Sequence, residues 1–234
     1  MLTSTKEPDV DNLAEMLARD PIFGKISEQH RTQVASQALL RRYSRGGALC
    51  YYGDVWPYLL MVREGLVQAV KESREGRRLV VMTLEPSDIF WGMAFFSPQA
   101  PMPVTLEVLE DSQIAIWAQE DVTPALLSSS QAVWALCHLM ITRMLQVSQI
   151  VEGLAFQPVA SRLARLVLDR FGESTERPVS RDLTLDEMAA LVGTTREVVC
   201  RLLYQFSDDD LIKITRTEFM VTDREGLAGL AEQG

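Results

Sequence analysis

The sequence predicts an α+β protein: a strand-rich N-terminal half, one long helix, and a C-terminal pair of short helices followed by strands. Three observations predict it. Between Tyr43 and Trp117, short β-prone runs alternate with turn signals roughly every 8–12 residues, as in an antiparallel sandwich or barrel. Past Pro124 there is no Gly or Pro until Gly153, so that stretch can run as a helix. Residues 184–206 hold two helix starts on either side of one glycine. With 234 residues, 47% of them hydrophobic and 24% charged, the chain can bury one large core or two small ones. That composition excludes a disordered or collagen-like main state.

The first roughly 45 residues read as helical. Leu13, Met16 and Leu17 share a face, Pro21-Ile22-Phe23 breaks the pattern, and Ser27 is placed to cap a second helix through Val34, Ala35 and Ala38. The β-prone runs are Tyr58–Val62, Leu66–Val70, Leu79–Leu84, Val104–Val108 and Ile114–Trp117. They are separated by Gly46-Gly47, Gly53-Asp54, Glu64-Gly65, Glu75-Gly76 and Pro86-Ser87-Asp88. No long helix interrupts them, which argues against a parallel βαβ sheet. From Asp121 to about Ala155, Trp134, Cys137, Ile141, Met144, Ser148 and Val151 recur at 3-4 spacing. A second stripe, Val133, Leu136, Met140, Val147, Ile150 and Leu154, lies beside it. The expected arrangement is one long helix with one stripe on its own β domain and the other on a second copy of the chain. A core helix in a monomer is the alternative. Gln157-Pro158 marks a boundary, followed by a helix over Val159–Phe171 and a polar loop over Gly172–Asp182. The expected domains are residues 1–120, 121–155 and 156–234.

Net charge is −9, from 23 basic and 32 acidic residues, which opposes nonspecific binding to nucleic acid or membrane. Any DNA contact must then come from a local basic patch. Cys50, Cys137 and Cys200 stand far apart, which argues against a disulfide framework, a zinc knuckle or a clustered iron–sulfur ligand set. The apolar runs are too short for a membrane helix of ~20 residues, and the N-terminus lacks the pattern of a secretion signal. The expected location is the cytoplasm.

In residues 184–206, Thr184 and Glu187 form a capping-box pair, a short helix ends at Gly193, and Thr194 and Glu197 form a second pair opening a second helix. Two short helices joined by a Gly-containing turn are a helix-turn-helix pattern. On the second helix Val199, Leu202, Leu203 and Phe206 face inward; Glu197, Cys200, Arg201 and Tyr204 face outward, with Arg196 on the flank. Arginine can donate two bonds to guanine O6 and N7, and a carboxylate can accept from cytosine N4. The plainer alternative is that Glu197 only caps the helix and pairs with Arg201 at i, i+4. Leu211–Ile214 and Phe219–Val221 read as a β wing, with Arg216-Thr217 near its turn. Lys213 and Arg216 can then share a surface with Arg196 and Arg201. Asp208-Asp209-Asp210 reads as a solvated turn pointing away from DNA.

With these residues in hand, the chain resembles the cyclic AMP receptor protein/Fnr (Crp/Fnr) family of bacterial transcription regulators from about Pro21 to Leu230. The sensor marks are Gly47…Tyr52-Gly53-Asp54, Val62-Arg63-Glu64-Gly65, Leu84-Glu85-Pro86-Ser87-Asp88-Ile89-Phe90 and Gly92-Met93-Ala94-Phe95-Phe96. The DNA-domain marks are Leu154-Ala155-Phe156, Arg162-Leu163-Ala164 and Val192–Leu203. The resemblance implies an N-terminal antiparallel β-roll of the cyclic-nucleotide-binding type, a long dimerisation helix and a C-terminal winged helix-turn-helix. It implies a homodimer that reads a palindromic TGTGA-like site in double-stranded DNA through Thr194, Thr195, Arg196, Glu197, Cys200 and Arg201, with RNA polymerase as a partner.

The chain departs from the cyclic-nucleotide members of that family. Met93 stands where their ribose-holding Glu does, and Pro103-Val104 stands where an Arg-Ser pair holds the cyclic phosphate. No arginine occurs between Arg78 and Arg143. A buried phosphate without a cation is very costly, so cyclic AMP and cyclic GMP are not expected ligands. Trp91, Gly92, Met93, Val104, Val147 and Ser148 form the tentative pocket. It is either a filled core or a site for a small apolar effector or haem. His138 is the candidate haem ligand, with a satisfied packing residue as the alternative. The first cysteine is Cys50, which excludes an N-terminal iron–sulfur cluster of the Fnr kind. Cys200 is either an oxidisable thiol on the reading face or a small residue tolerated there. No nucleophile–base arrangement, metal-ligand spacing or phosphate-binding glycine loop is present, so the chain is not expected to be an enzyme.

Overall fold

The computed structural model describes residues 10–172, 178–180, 182–215 and 218–232. The chain divides into two compact units, residues 1–71 with 82–145 and residues 72–81 with 146–234.

In the first unit, α1 (Val10–Arg19) and α2 (Glu28–Ser36) flank a single turn at Phe23–Lys25. Ser27 caps α2 by accepting from the His30 amide, as its position predicts. Helical structure ends sooner than expected: β1 (Leu39–Tyr43) already belongs to the sheet. β2 (Ala48–Cys50), β3 (Tyr58–Glu72), β4 (Arg78–Leu84), β5 (Ile89–Trp91) and β6 (Thr105–Ala118) complete it. The order is β1-β6-β3-β4, with β2 on β6 and β5 on β3. The core beneath the helices gathers Leu13, Leu17, Phe23, Val34, Trp91 and Trp117. The Trp117 indole donates to the Val34 carbonyl at 2.7 Å, so its one polar group is satisfied there.

The turn expected at Glu64-Gly65 is not a turn, and two pairs of expected strands are each a single strand. Tyr58–Val62 and Leu66–Val70 are one strand, and Val104–Val108 and Ile114–Trp117 merge, from Thr105 on, into another. The β3–β6 register shifts around Glu64 and Leu66, so Glu64-Gly65 is a bulge that bends a continuous strand. Gly65 has φ +88°, and a Cβ there would meet the Ser112 side chain and lie 2.6 Å from the Asp111 carbonyl oxygen. Only glycine fits both demands.

The stretch expected to be one helix from Asp121 is two. α4 (Gln119–Leu127) and α5 (Ser130–Phe156) meet at 116°. Two serines make the corner without Gly or Pro. Ser128 Oγ donates to the Ala125 carbonyl at 2.7 Å; Ser129 Oγ donates to the Lys25 carbonyl at 2.8 Å and accepts from the Ala132 amide. On α5, Ala132, Ala135, Leu136 and Leu139 pack on the first core. All six residues of the first stripe, from Trp134 to Val151, are exposed. No single helix among the described residues is long and apolar enough to cross a membrane.

In the second unit, α6 (Val159–Phe171) matches its predicted span, with Pro158 as N-cap. α7 (Leu185–Val192) and α8 (Arg196–Asp208) pack on it, and β8 (Ile212–Ile214) pairs antiparallel with β9 (Glu218–Val221) as the expected wing. The expected polar loop 172–182 contains a two-residue strand, β7 (Val179–Ser180), on the far side of β9. α9 (Arg224–Ala231) closes the core formed by Leu163, Val167, Met188, Leu203, Phe206 and Phe219. Arg216-Thr217 lies outside the described residues.

Replacing Gly65 by Ala is expected to lower the unfolding free energy by about 2 kcal/mol or more, measured by urea titration, through combined backbone strain and overlap.

Candidate functional site

The α7–α8 hairpin is built from local signals. Thr184 Oγ1 accepts from the Glu187 amide at 3.2 Å, and the Thr184 amide donates to Glu187 Oε2 at 2.7 Å. This is the predicted capping box, and it starts α7. α7 ends at Gly193, which has φ 69° in the left-handed region, while the Thr194 amide donates back to the Ala189 carbonyl at 2.9 Å.

That return bond shifts the start of α8. The second capping box is not formed: Thr195, not Thr194, is the N-cap, and its side chain makes no capping bond. Glu197 is held differently. Its own backbone amide and the Thr195 hydroxyl bond its carboxylate, and Arg196 lies near, so its pKa falls below the ordinary glutamate value. No Glu197–Arg201 ion pair occurs among the described residues; Arg196 pairs instead with Asp186 of α7, at 3.2 Å. Nothing in sequence spacing signals that pair, because the two residues lie ten apart on different helices. Both side chains are well exposed, so the bond is weak and readily exchanged.

Val199, Leu202, Leu203 and Phe206 are buried, as predicted. The opposite face of α8 forms a shallow open groove lined by Arg196, Glu197, Cys200, Arg201 and Tyr204. The Arg201 guanidinium has no partner among the described residues. Asp208 and Asp209 line the far end of the same groove. The acidic run therefore does not point away from this face as expected. It begins seven residues beyond Arg201, about 10 Å along the helix. The positive N-terminal end of the helix carries the arginines and the negative end carries the aspartates. Lys213 on β8 is exposed.

Of the tentative pocket residues in the first unit, Trp91 and Val104 do not share a core cluster. Trp91 joins the core beneath the helices, its ring centroid 6.2 Å from Phe23, 5.0 Å from Phe95 and 5.3 Å from Phe96. Its indole nitrogen is buried without a hydrogen-bond partner among the described residues. Gly92 packs against the Trp56 carbonyl, which leaves no room for a side chain. Met93 opens the four-residue helix α3 (Met93–Phe96) and is 37% exposed. Val104 is buried among the strands rather than in the core that holds Trp91. Val147 and Ser148 are exposed on α5 in the second unit. His138 is exposed on α5 as well. No group of three or more His, Cys, Asp or Glu that could hold a metal occurs among the described residues.

The comparisons with known proteins agree with this architecture. A cyclic nucleotide-binding domain matches residues 40–129, and a Crp-like helix-turn-helix domain matches residues 161–230. The chain belongs to the Crp/Fnr family of transcription regulators. It is 24% identical over 92% of its length to a CRP-like cAMP-activated global transcriptional regulator of Mycobacterium tuberculosis, covering 97% of that protein. It is 26% identical over 94% of its length to the HTH-type transcriptional regulator Cmr of the same organism, covering 88% of it. A Crp/Fnr regulator structure from Eubacterium rectale superposes with TM-score 0.74 at 22% identity, covering 92% of this chain and 99% of that one. As in its family, the chain is a DNA-binding regulator and not an enzyme.

The three thiols differ sharply. Cys50 is buried and desolvation pushes its pKa up to about 12, whereas Cys137 is exposed and Cys200 half-buried. Thiol labelling of the native protein at pH 8 is expected to modify Cys137 and Cys200 and to reach Cys50 only after denaturation; mass spectrometry of the labelled peptides checks this. In Thr195→Val, the Glu197 carboxyl is expected to titrate higher than in wild type, measured by NMR, because one of its hydrogen bonds is gone.

Proposed function

We propose that the chain acts in the cytoplasm as a homodimer reading a palindromic TGTGA-like site, controlled by an effector other than a cyclic nucleotide or by none. The observation that carries this reading is the exposed trio Arg196, Glu197 and Arg201 on the first two turns of α8. Arg201 is free to make both bonds to a guanine edge, and Arg196 can leave its exposed pair with Asp186 for a guanine or a phosphate. Glu197, held ionised, can accept from cytosine N4. Thr194, Thr195 and Cys200 border these groups and would contact the backbone and the groove edge. The second copy is supported by the exposed apolar stripe of α5. Trp134, Ile141, Met144 and Val151 are 78%, 52%, 60% and 59% exposed, a patch that a partner helix would cover. A two-fold axis along α5 would repeat α8 at half-sites about 34 Å apart. RNA polymerase is the further partner expected of such a regulator.

The departure from cyclic nucleotides rests on charge. A relative of this chain is named as cAMP-activated, but here neither Lys nor Arg occurs between Arg78 and Arg143. A cyclic phosphate held by that segment would find neither Lys nor Arg in it.

Fluorescence anisotropy with a TGTGA/TCACA duplex against a scrambled duplex tests the reading. Wild type is expected to prefer the palindrome. Arg201→Ala is expected to lose about 1–3 kcal/mol of that discrimination per half-site, with the dimer intact by sedimentation. Equal discrimination in wild type and variant would overturn the assignment of Arg201. Calorimetry with micromolar cyclic AMP or cyclic GMP is expected to show no binding heat.

A further inference from the structure

Arg162, on the first turn of α6, bonds to three separate pieces of the second unit. Its Nε donates to the Val192 carbonyl at 2.9 Å. Its Nη1 donates to the Gly153 carbonyl at 3.0 Å and to the Gln157 carbonyl at 2.5 Å. Gly153 lies in the last turn of α5, Gln157 in the link to α6, and Val192 is the final residue of α7. Helix C-termini carry partial negative charge, and one cation here serves two of them. Desolvation lowers the Arg162 pKa, so the guanidinium is drawn partly out of water into this junction. An arginine remains charged there, and its planar fork lets different nitrogens face different carbonyls.

We propose that Arg162 is a positioning residue that sets the angle between α5 and the α7–α8 pair, and so selects the half-site spacing that the dimer accepts. This rests on the dimeric, palindrome-reading function above. α5 carries the stripe assigned to the partner copy, so its direction defines the two-fold frame. Val192 immediately precedes the left-handed turn at Gly193, and α8 starts three residues after that turn. Holding Val192 to Gly153 and Gln157 therefore holds the reading helix to the dimer frame. Without Arg162 the covalent link at Gln157-Pro158 and the contact of Leu154 with the Gly193 turn remain, but the bonds that tie Val192 to Gly153 and Gln157 are lost. The reading end of α8 lies within about 13 Å of Val192, so a tilt of about 15° at the junction shifts it by up to about 3.4 Å, one base-pair step. Small loosening at this junction is thus enough to change which spacing is read.

The test uses the full chain and a set of duplexes with two TGTGA-type half-sites. Their separation is lengthened or shortened by one and two base pairs. A single-half-site duplex and a scrambled duplex complete the set. Wild type is expected to prefer one spacing by about tenfold or more. Arg162→Met keeps the apolar stem and loses every donor. It is expected to flatten that preference to about threefold or less, while still telling the single half-site from the scrambled duplex. Arg162→Lys is expected to flatten it too, because one ammonium cannot reach the α5 and α7 carbonyls together. Circular dichroism establishes that each variant is folded; if the Met variant is not, the Lys variant decides. A folded variant whose affinity falls equally at every spacing, or does not fall, overturns the inference. Wild type binding palindrome and scrambled duplex equally would overturn the dimeric reading itself, and this inference with it.

Discussion

The left-handed turn at Gly193 is the constraint on which the exposed face of α8 depends. A Cβ on this residue would lie 2.6 Å from Leu154 Cδ2 and 3.3 Å from Leu79 Cδ1, in a backbone conformation that side chains rarely adopt. The glycine lets α7 stop and the chain turn back in two residues. It also lets the end of α5 and the β3–β4 hairpin tip pack directly on the turn. The outward direction of Arg196, Glu197 and Arg201 follows from it. The residues before the turn are pinned by Thr184 and Glu187 at the start of α7, and α8 packs its buried face on the same core as α6.

Charge is the second organising feature. A chain with net charge −9 approaches a polyanion against its own field, and residues 156–234 alone hold 10 basic and 14 acidic side chains. The distribution along α8 reconciles this with DNA binding. Two arginines and the positive helix end occupy the first two turns, and Asp208-Asp209-Asp210 closes the last one. A phosphate backbone lying along the whole groove would meet carboxylates about 10 Å from Arg201. Insertion by the N-terminal end avoids them. Weak nonspecific attraction is the corollary, and on the proposed reading the energy of binding comes from the few base-directed groups rather than from broad electrostatic contact.

Much of this was legible in the sequence because it is written in short-range chemistry. The α7 capping box, the Gly193 terminus, the apolar face of α8 and the span of α6 each depend on residues within one or two turns of one another. The parts that were not legible depend on distant partners. Thr194 looked like an N-cap, but its amide is taken by Ala189 across the turn, so the helix starts later. Glu64-Gly65 looked like a hairpin turn, but β6 runs past both halves and makes it a bulge. The α4–α5 corner has no Gly or Pro because Ser129 reaches back to Lys25, over a hundred residues away. Periodicity records which residues face the same way along a helix, not where the axis bends. β7, with two residues, is too short to carry any pattern. Arg162 stood out only as a mark of resemblance; its bonding needs Val192, thirty residues on, to be in place.

The strand layer constrains what the N-terminal unit can sense. Leu60, Val62, Val67, Leu84, Val104, Leu106, Val108 and Ile114 are all buried, and the thiol nearest an ionisable role, Cys50, is held neutral by desolvation. Admitting an anion here would require a counter-cation, and the segment between Arg78 and Arg143 supplies neither Lys nor Arg. Transfer of an unpaired charge into such surroundings costs several kcal/mol, comparable with the whole stability of a domain. A neutral apolar molecule carries no such cost, and it could shift the population of states only by its preference for one of them. On the proposal that Arg162 fixes the half-site spacing, such a preference reaches DNA binding only where it alters the junction between α5 and the α7–α8 pair.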